Sequence, residues 1–193
     1  MSNPHDVQVR MCEIAVSSGE DAKILRATLG SCVGIGLLWR SRGTYGLAHC
    51  LLPEPMGVAR GAAPAAPQAG NGAKYVIEAL PKLLAMMHAD GAAEGEIEAV
   101  LAGGANMMHH RTTIHEPIGE LNVRMARQML ANTRLKVVHV DVGGECGRQL
   151  TIDCEQHHYA VRHFSRTALP QPPSSAPSTS PSTSPSIGYG VTR

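Results

Sequence analysis

The sequence predicts an α+β fold, a layered α/β sandwich with a mostly antiparallel sheet core and helices packed on it. Three observations carry that expectation. Short apolar runs bounded by Gly, Ser and Asp recur along the chain and outnumber the helical stretches. Two segments, 73–89 and 119–132, instead carry their apolar residues on a helical stripe. A helix with one apolar stripe needs a sheet face to cover, so the two kinds of element must lie in layers.

Taken in order, Val7, Val9 and Met11 alternate with polar neighbours, and 23–28, 33–39 and 44–51 follow as strand-like runs that together read as an antiparallel meander. "SRGTYG" at 41–46 is the clearest hairpin turn, returning the strand at 33–39 alongside the strand that carries His49. Residues 56–72, "MGVARGAAPAAPQAGNG", have no periodicity and form a long loop, which is either a binding lid or an insertion. The helix at 73–89 places Val76, Leu80, Leu83, Leu84 and Met87 on one stripe, and Pro81 inside it either kinks the helix or divides it in two. A strand at 97–101, a Gly-Gly turn and the helix at 119–132, with Val123, Ala126, Met129 and Leu130 on its apolar face, come next. Strands at 135–142, 149–153 and 159–164 complete the series.

Of the 193 residues, 43% are hydrophobic, enough for one domain with a core, expected over 1–166. The segment 167–193 is Pro, Ser and Thr with almost nothing apolar to bury, so it is expected to be a disordered tail. The net charge of +1 and the scattered basic residues give no nucleic-acid footprint. No run approaches the roughly 18 apolar residues of a membrane helix, and the N-terminus has no signal-peptide core, which predicts a cytoplasmic protein. In that compartment Cys12, Cys32, Cys50, Cys146 and Cys154 are expected as thiols.

Chemistry concentrates around "TLGSCVGIGLLW" at 28–39, where Gly30 and Ser31 interrupt the strand pattern just before Cys32. A thiol is mostly protonated at neutral pH and needs a base to become a nucleophile. His49 lies on the strand that the 41–46 turn folds back beside Cys32, so the two side chains can meet at one end of a hairpin. If the chain stays extended up to Cys32, Thr28 shares its face and can orient the ring, while backbone N–H groups near Gly30 and Ser31 can face a developing oxyanion. The plainer alternatives stay open beside this: Cys32 as a small buried filler and His49 as a hydrogen-bonded core histidine. Cys146, Cys154, His157 and His158 lack the paired C-x2-C spacing of zinc modules, His109 and His110 point apart, and no phosphate-binding loop surrounds the Gly pairs, so neither metal nor cofactor is expected.

The motifs "TLGSCVGIGL", "GLAHCLLPEP" with His49 seventeen residues after Cys32, "AGGANM", "IGELNV" and "DVGGECGRQL" occur in that order. Over roughly 8–164 the chain resembles the CheD family of chemoreceptor glutamine deamidases. The resemblance implies a three-layer αβ sandwich, a cysteine-dependent protein-glutamine glutaminase, and a catalytic set of Cys32, His49 and Thr28. It implies as partners the cytoplasmic helical region of methyl-accepting chemotaxis receptors and a CheC-type phosphatase, with the protein itself a monomer. A non-catalytic binding partner of receptors or phosphatase is the alternative. A general amidase for small molecules fits less well, since no aromatic cluster for such a substrate is evident.

Overall fold

The computed structural model describes residues 6–18, 22–55, 72–106 and 116–164. Within them the chain runs β1 (Asp6–Gln8), β2 (Ile14–Ser17), β3 (Ile24–Leu29), β4 (Val33–Trp39), β5 (Thr44–Cys50), α1 (Val76–Met86), β6 (Glu98–Gly103), α2 (Ile118–Ala131), β7 (Lys136–Val142), β8 (Gly147–Asp153) and β9 (His158–Phe164). The strands form a five-stranded sheet, β2-β5-β4-β6-β7, and a four-stranded sheet, β1-β3-β8-β9. The β1–β3 and β6–β7 pairs are parallel and the others antiparallel, the α+β arrangement expected. Most of the 56–72 loop, the 167–193 tail, His109 and His110 lie outside the described residues.

The central strand β4 shows how the layers stack. All seven of its residues are buried. Val33, Ile35, Leu37 and Trp39 share a core with Val76, Leu80 and Leu83 of α1 and Ala126 and Leu130 of α2. Leu38 faces the other way, into a second core with Leu29, Leu150 and Ile152 of the smaller sheet. The order is therefore helices, five-stranded sheet, four-stranded sheet, and a strand covered on both sides reads as a continuous apolar run. Gly34 eases this approach, because a Cβ there would lie 2.8 Å from Leu29 Cδ1 and the Leu29 side chain would have to shift.

Helix α1 begins at Val76 rather than 73, because residues before it are used in sheet-like bonds. Ala73 N–H donates to Cys12 O at 2.7 Å, and Leu51 and Leu52 N–H donate to Lys74 O at 3.2 and 3.0 Å. The helix has no side-chain cap; its first N–H groups, on Val76 and Ile77, donate to Leu52 O and Pro53 O at 2.8 and 3.1 Å. Pro81 lies on the exposed side, and the helix continues through it as one element. Val76, Leu80 and Leu83 fill the core beneath, each contributing about 1.5–3 kcal/mol by leaving water.

The expected meander of the first strands is corrected by this topology. Of these first strands only β4 and β5 form a hairpin, through a 3-10 turn at Arg40–Arg42. β1 and β3 belong to the other sheet and pair in parallel, while β2, absent from the sequence reading, pairs with β5. Alternation fixes which face of a strand is buried, and carries no information about which strand lies next to it. No helix among the described residues is long and apolar enough to cross a membrane.

Candidate active site

The β4–β5 ladder ends with Gly34 opposite His49 and Val33 opposite Cys50. Cys32 stands one residue before β4 and packs into the inter-sheet core beside Leu29. His49 follows Tyr45 and Leu47 at the two-residue strand period, and both of those belong to the same core. The two side chains thus face the same side as diagonal neighbours across the hairpin end, 6% and 5% exposed. Cys50 alternates to the helix side and is fully buried.

The orientation of the imidazole is set by the backbone. His49 Nδ1 lies 3.1 Å from Val9 O, and a carbonyl can only accept, so Nδ1 carries the proton and Nε2 keeps its lone pair. Val9 opens the crossover from the smaller to the larger sheet. It is held by its N–H to Arg26 O at 2.8 Å, and the crossover is stapled back by Cys12 N–H to His49 O at 2.9 Å and His49 N–H to Glu13 O at 3.0 Å. Burial lowers the His49 pKa, opposed by the Val9 bond and the Glu13 charge. Burial pushes the Cys32 thiol up, as does the nearby Cys12, against its own backbone N–H. Both shifts favour the uncharged forms, a thiol and a neutral imidazole.

The loop before β4 is fastened from behind. Gly30 O accepts from Ala105 N–H at 2.8 Å and Cys32 O from Gly104 N–H at 2.7 Å. Ser31 O accepts from Asn122 Nδ2 at 3.0 Å. In trans peptides the N–H points opposite the C=O, so fastening the Gly30 and Ser31 carbonyls turns the Ser31 and Cys32 N–H groups away from the scaffold. Among the described residues the Ser31 N–H has no backbone acceptor, and the Cys32 N–H lies against its own thiol. The "AGGA" at 102–105 makes this backing possible: Gly103 at φ +106° would set a Cβ 2.3 Å from Cys32 O, and Gly104 at φ +66° one 2.2 Å from Val123 Cγ2.

Thr28 is not brought together with Cys32 and His49. It pairs with Gln149, is exposed, and lies on the face of β3 opposite Leu25, Ala27 and Leu29, which enter the inter-sheet core. The expectation assumed an extended chain from Thr28 to Cys32, whereas the strand ends at Leu29 and bends through Gly30 and Ser31. The ring-orienting group is the Val9 carbonyl, which has no residue-type signature. Elsewhere, Cys154 is buried between the sheets and the His157 ring meets the Tyr45 hydroxyl. Among the described residues no three His, Cys, Asp or Glu side chains are placed to share a metal ion. Asn122, a polar residue on the buried stripe of α2, was not singled out by the sequence reading.

Residues 51–163 match the family model described as CheD, CheD chemotactic sensory transduction. The probable chemoreceptor glutamine deamidase CheD 2 of Ruegeria sp. (strain TM1040) is 35% identical over 170 residues, covering 83% of this chain and 93% of the relative. The probable chemoreceptor glutamine deamidase CheD of Bdellovibrio bacteriovorus is 33% identical over 166 residues, with 86% and 99% covered, and that of Pyrococcus abyssi 37% identical over 148 residues, with 77% and 85% covered.

Proposed function

The chain belongs to the CheD family, and from that premise we propose that it is a protein-glutamine deamidase that converts selected glutamines of methyl-accepting chemotaxis receptors to glutamate, with Cys32 as nucleophile and His49 as base. The observation that carries the assignment of residues is a buried thiol just before β4, on the same face as a buried imidazole of the facing strand whose Nδ1 is committed to Val9 O, which leaves Nε2 to accept a proton. The reaction proceeds in two halves. His49 Nε2 takes the thiol proton as Cys32 Sγ attacks the carboxamide carbon, and the oxyanion that forms is met by the Ser31 and Cys32 N–H groups. His49 returns the proton to the departing nitrogen, ammonia leaves, and a thioester remains. Water attacks the thioester with His49 again as base, and the thiol and a glutamate carboxyl are released.

The substrate lies in the cytoplasmic helical region of the receptors, so the cytoplasm is the place of action under this reading. The family resemblance adds a CheC-type phosphatase as a second partner, competing with the receptor for the same protein. The test is peptide mass spectrometry of a receptor cytoplasmic fragment incubated with the unmutated protein and with Cys32→Ala and His49→Ala. Glutamine-to-glutamate conversion by the unmutated protein alone is expected. Binding without conversion makes it a regulatory partner instead, and conversion surviving in Cys32→Ala removes the cysteine mechanism.

A further inference from the structure

We propose that Asn122 is a positioning residue for this reaction, holding the nucleophile loop in register with the strand that carries His49; the inference rests on the deamidase reading and deepens it. Its side chain is fully buried on α2. Both of its amide hydrogens are used: Nδ2 donates to Ser31 O at 3.0 Å and to Leu51 O at 2.9 Å. Ser31 immediately precedes Cys32, and Leu51 is the second residue after His49. One amide therefore joins the two halves of the candidate site.

The need for such a joint follows from the strand pairing. The regular β4–β5 ladder stops at Val33 and Cys50, so the next pair in that register, Cys32 with Leu51, is not made. Leu51 N–H turns instead to Lys74 O, and the two chains splay apart where the chemistry is placed. Asn122 bridges the splay with two donors directed at two carbonyls, which is also why the amide is oriented with nitrogen toward them. Two acceptors facing a side-chain oxygen would repel it.

Local sequence brings the helix close enough. Gly119, one turn earlier on the same face, lies against Gly104, where a Cβ would sit 2.6 Å from Gly104 O. "IGELN" and "AGGA" thus act together: the glycines set the distance and Asn122 makes the bond. By fixing Ser31 O, Asn122 also fixes the Ser31–Cys32 peptide plane and so the direction of the Cys32 N–H toward the oxyanion.

The experiment compares the unmutated protein with Asn122→Leu, which removes both donors, and Asn122→Asp, which keeps the shape and offers at most one donor. Three quantities are read for each folded variant on the receptor fragment: kcat, KM and the rate of Cys32 alkylation by iodoacetamide. A positioning role lowers kcat roughly 30-fold or more, approaching the about 10²–10³-fold cost of removing an oxyanion donor outright, with KM inside about threefold and alkylation inside about twofold, because alkylation builds no oxyanion. If the Leu variant does not fold, the Asp variant carries the comparison. Unchanged kcat, or alkylation falling in step with kcat, overturns the inference while leaving the deamidase reading intact. No conversion by the unmutated protein overturns both.

Discussion

His49 donates from Nδ1 to the carbonyl of Val9, so a main-chain atom on the crossover between the two sheets determines which ring nitrogen can act as a base. A pH dependence follows. Burial holds the His49 pKa below its ordinary 6.5, and only the neutral ring can take the thiol proton. The acidic limb of kcat/KM is therefore expected below pH 6.5. His49→Ala should lower kcat about 10²–10⁴-fold and leave the thermal transition present. Stability follows the same sign: the unfolded chain binds this proton more readily, so the contribution is full above about pH 6.5 and is lost as pH falls through the lower folded value. An activity limb centred above pH 7 would contradict the assignment.

Cys32 should behave as a protonated thiol at rest. Its pKa lies above the ordinary 9.0, with burial as the main cause. The iodoacetamide reaction at Cys32, followed on its own peptide by mass spectrometry, should be slow at pH 7 and rise about tenfold per pH unit toward pH 9, as the thiolate fraction does. A plateau reached below pH 7 would instead indicate a preformed thiolate–imidazolium pair. Cys154, with its pKa pushed up to about 11 by burial, should be slower still in the folded protein.

Thr28→Val should retain deamidation within about threefold, since the hydroxyl is exposed on the outward face of β3 and makes no bond to His49. Loss of activity comparable to Cys32→Ala would return Thr28 to the catalytic set. The measurement is kcat/KM on the receptor fragment, with Cys32→Ala run alongside as the inactive reference.

Much of this arrangement was legible in the sequence. The hairpin that joins Cys32 to His49 could be read from "SRGTYG" and two apolar runs, because turn residues and strand period are local signals. What stayed hidden depends on chain segments distant in sequence. The Val9 carbonyl is a backbone atom forty residues from the ring it orients. Asn122 reaches loops 91 and 71 residues away; its place on the buried stripe of α2 is a local signal, but nothing local names the loops it joins. The shared face assumed for Thr28 and Cys32 was misjudged for the complementary reason: the strand period was carried past Leu29, through residues that bend the chain. The parallel β1–β3 pair was hidden too, since alternation does not name a partner.

Gly104→Ala tests whether the scaffold behind the loop governs both stability and turnover. The added Cβ would meet Val123 Cγ2 at 2.2 Å and Gly119 O at 3.0 Å, in a backbone with φ of +66°. Overpacking costs about 1–3 kcal/mol, and left-handed backbone without glycine about 1–2 kcal/mol more. Helix α2 must then move away from the loop, and because Asn122 travels with it, the bonds to Ser31 O and Leu51 O lengthen together. The expected result is a Tm lower by roughly 5–15 °C, with kcat falling by more than the unfolded fraction at the assay temperature explains. Gly91→Ala is the control, since nothing lies within 4 Å of the added Cβ there. A Gly104→Ala protein that melts earlier yet turns over normally once folded would separate the scaffold from the chemistry.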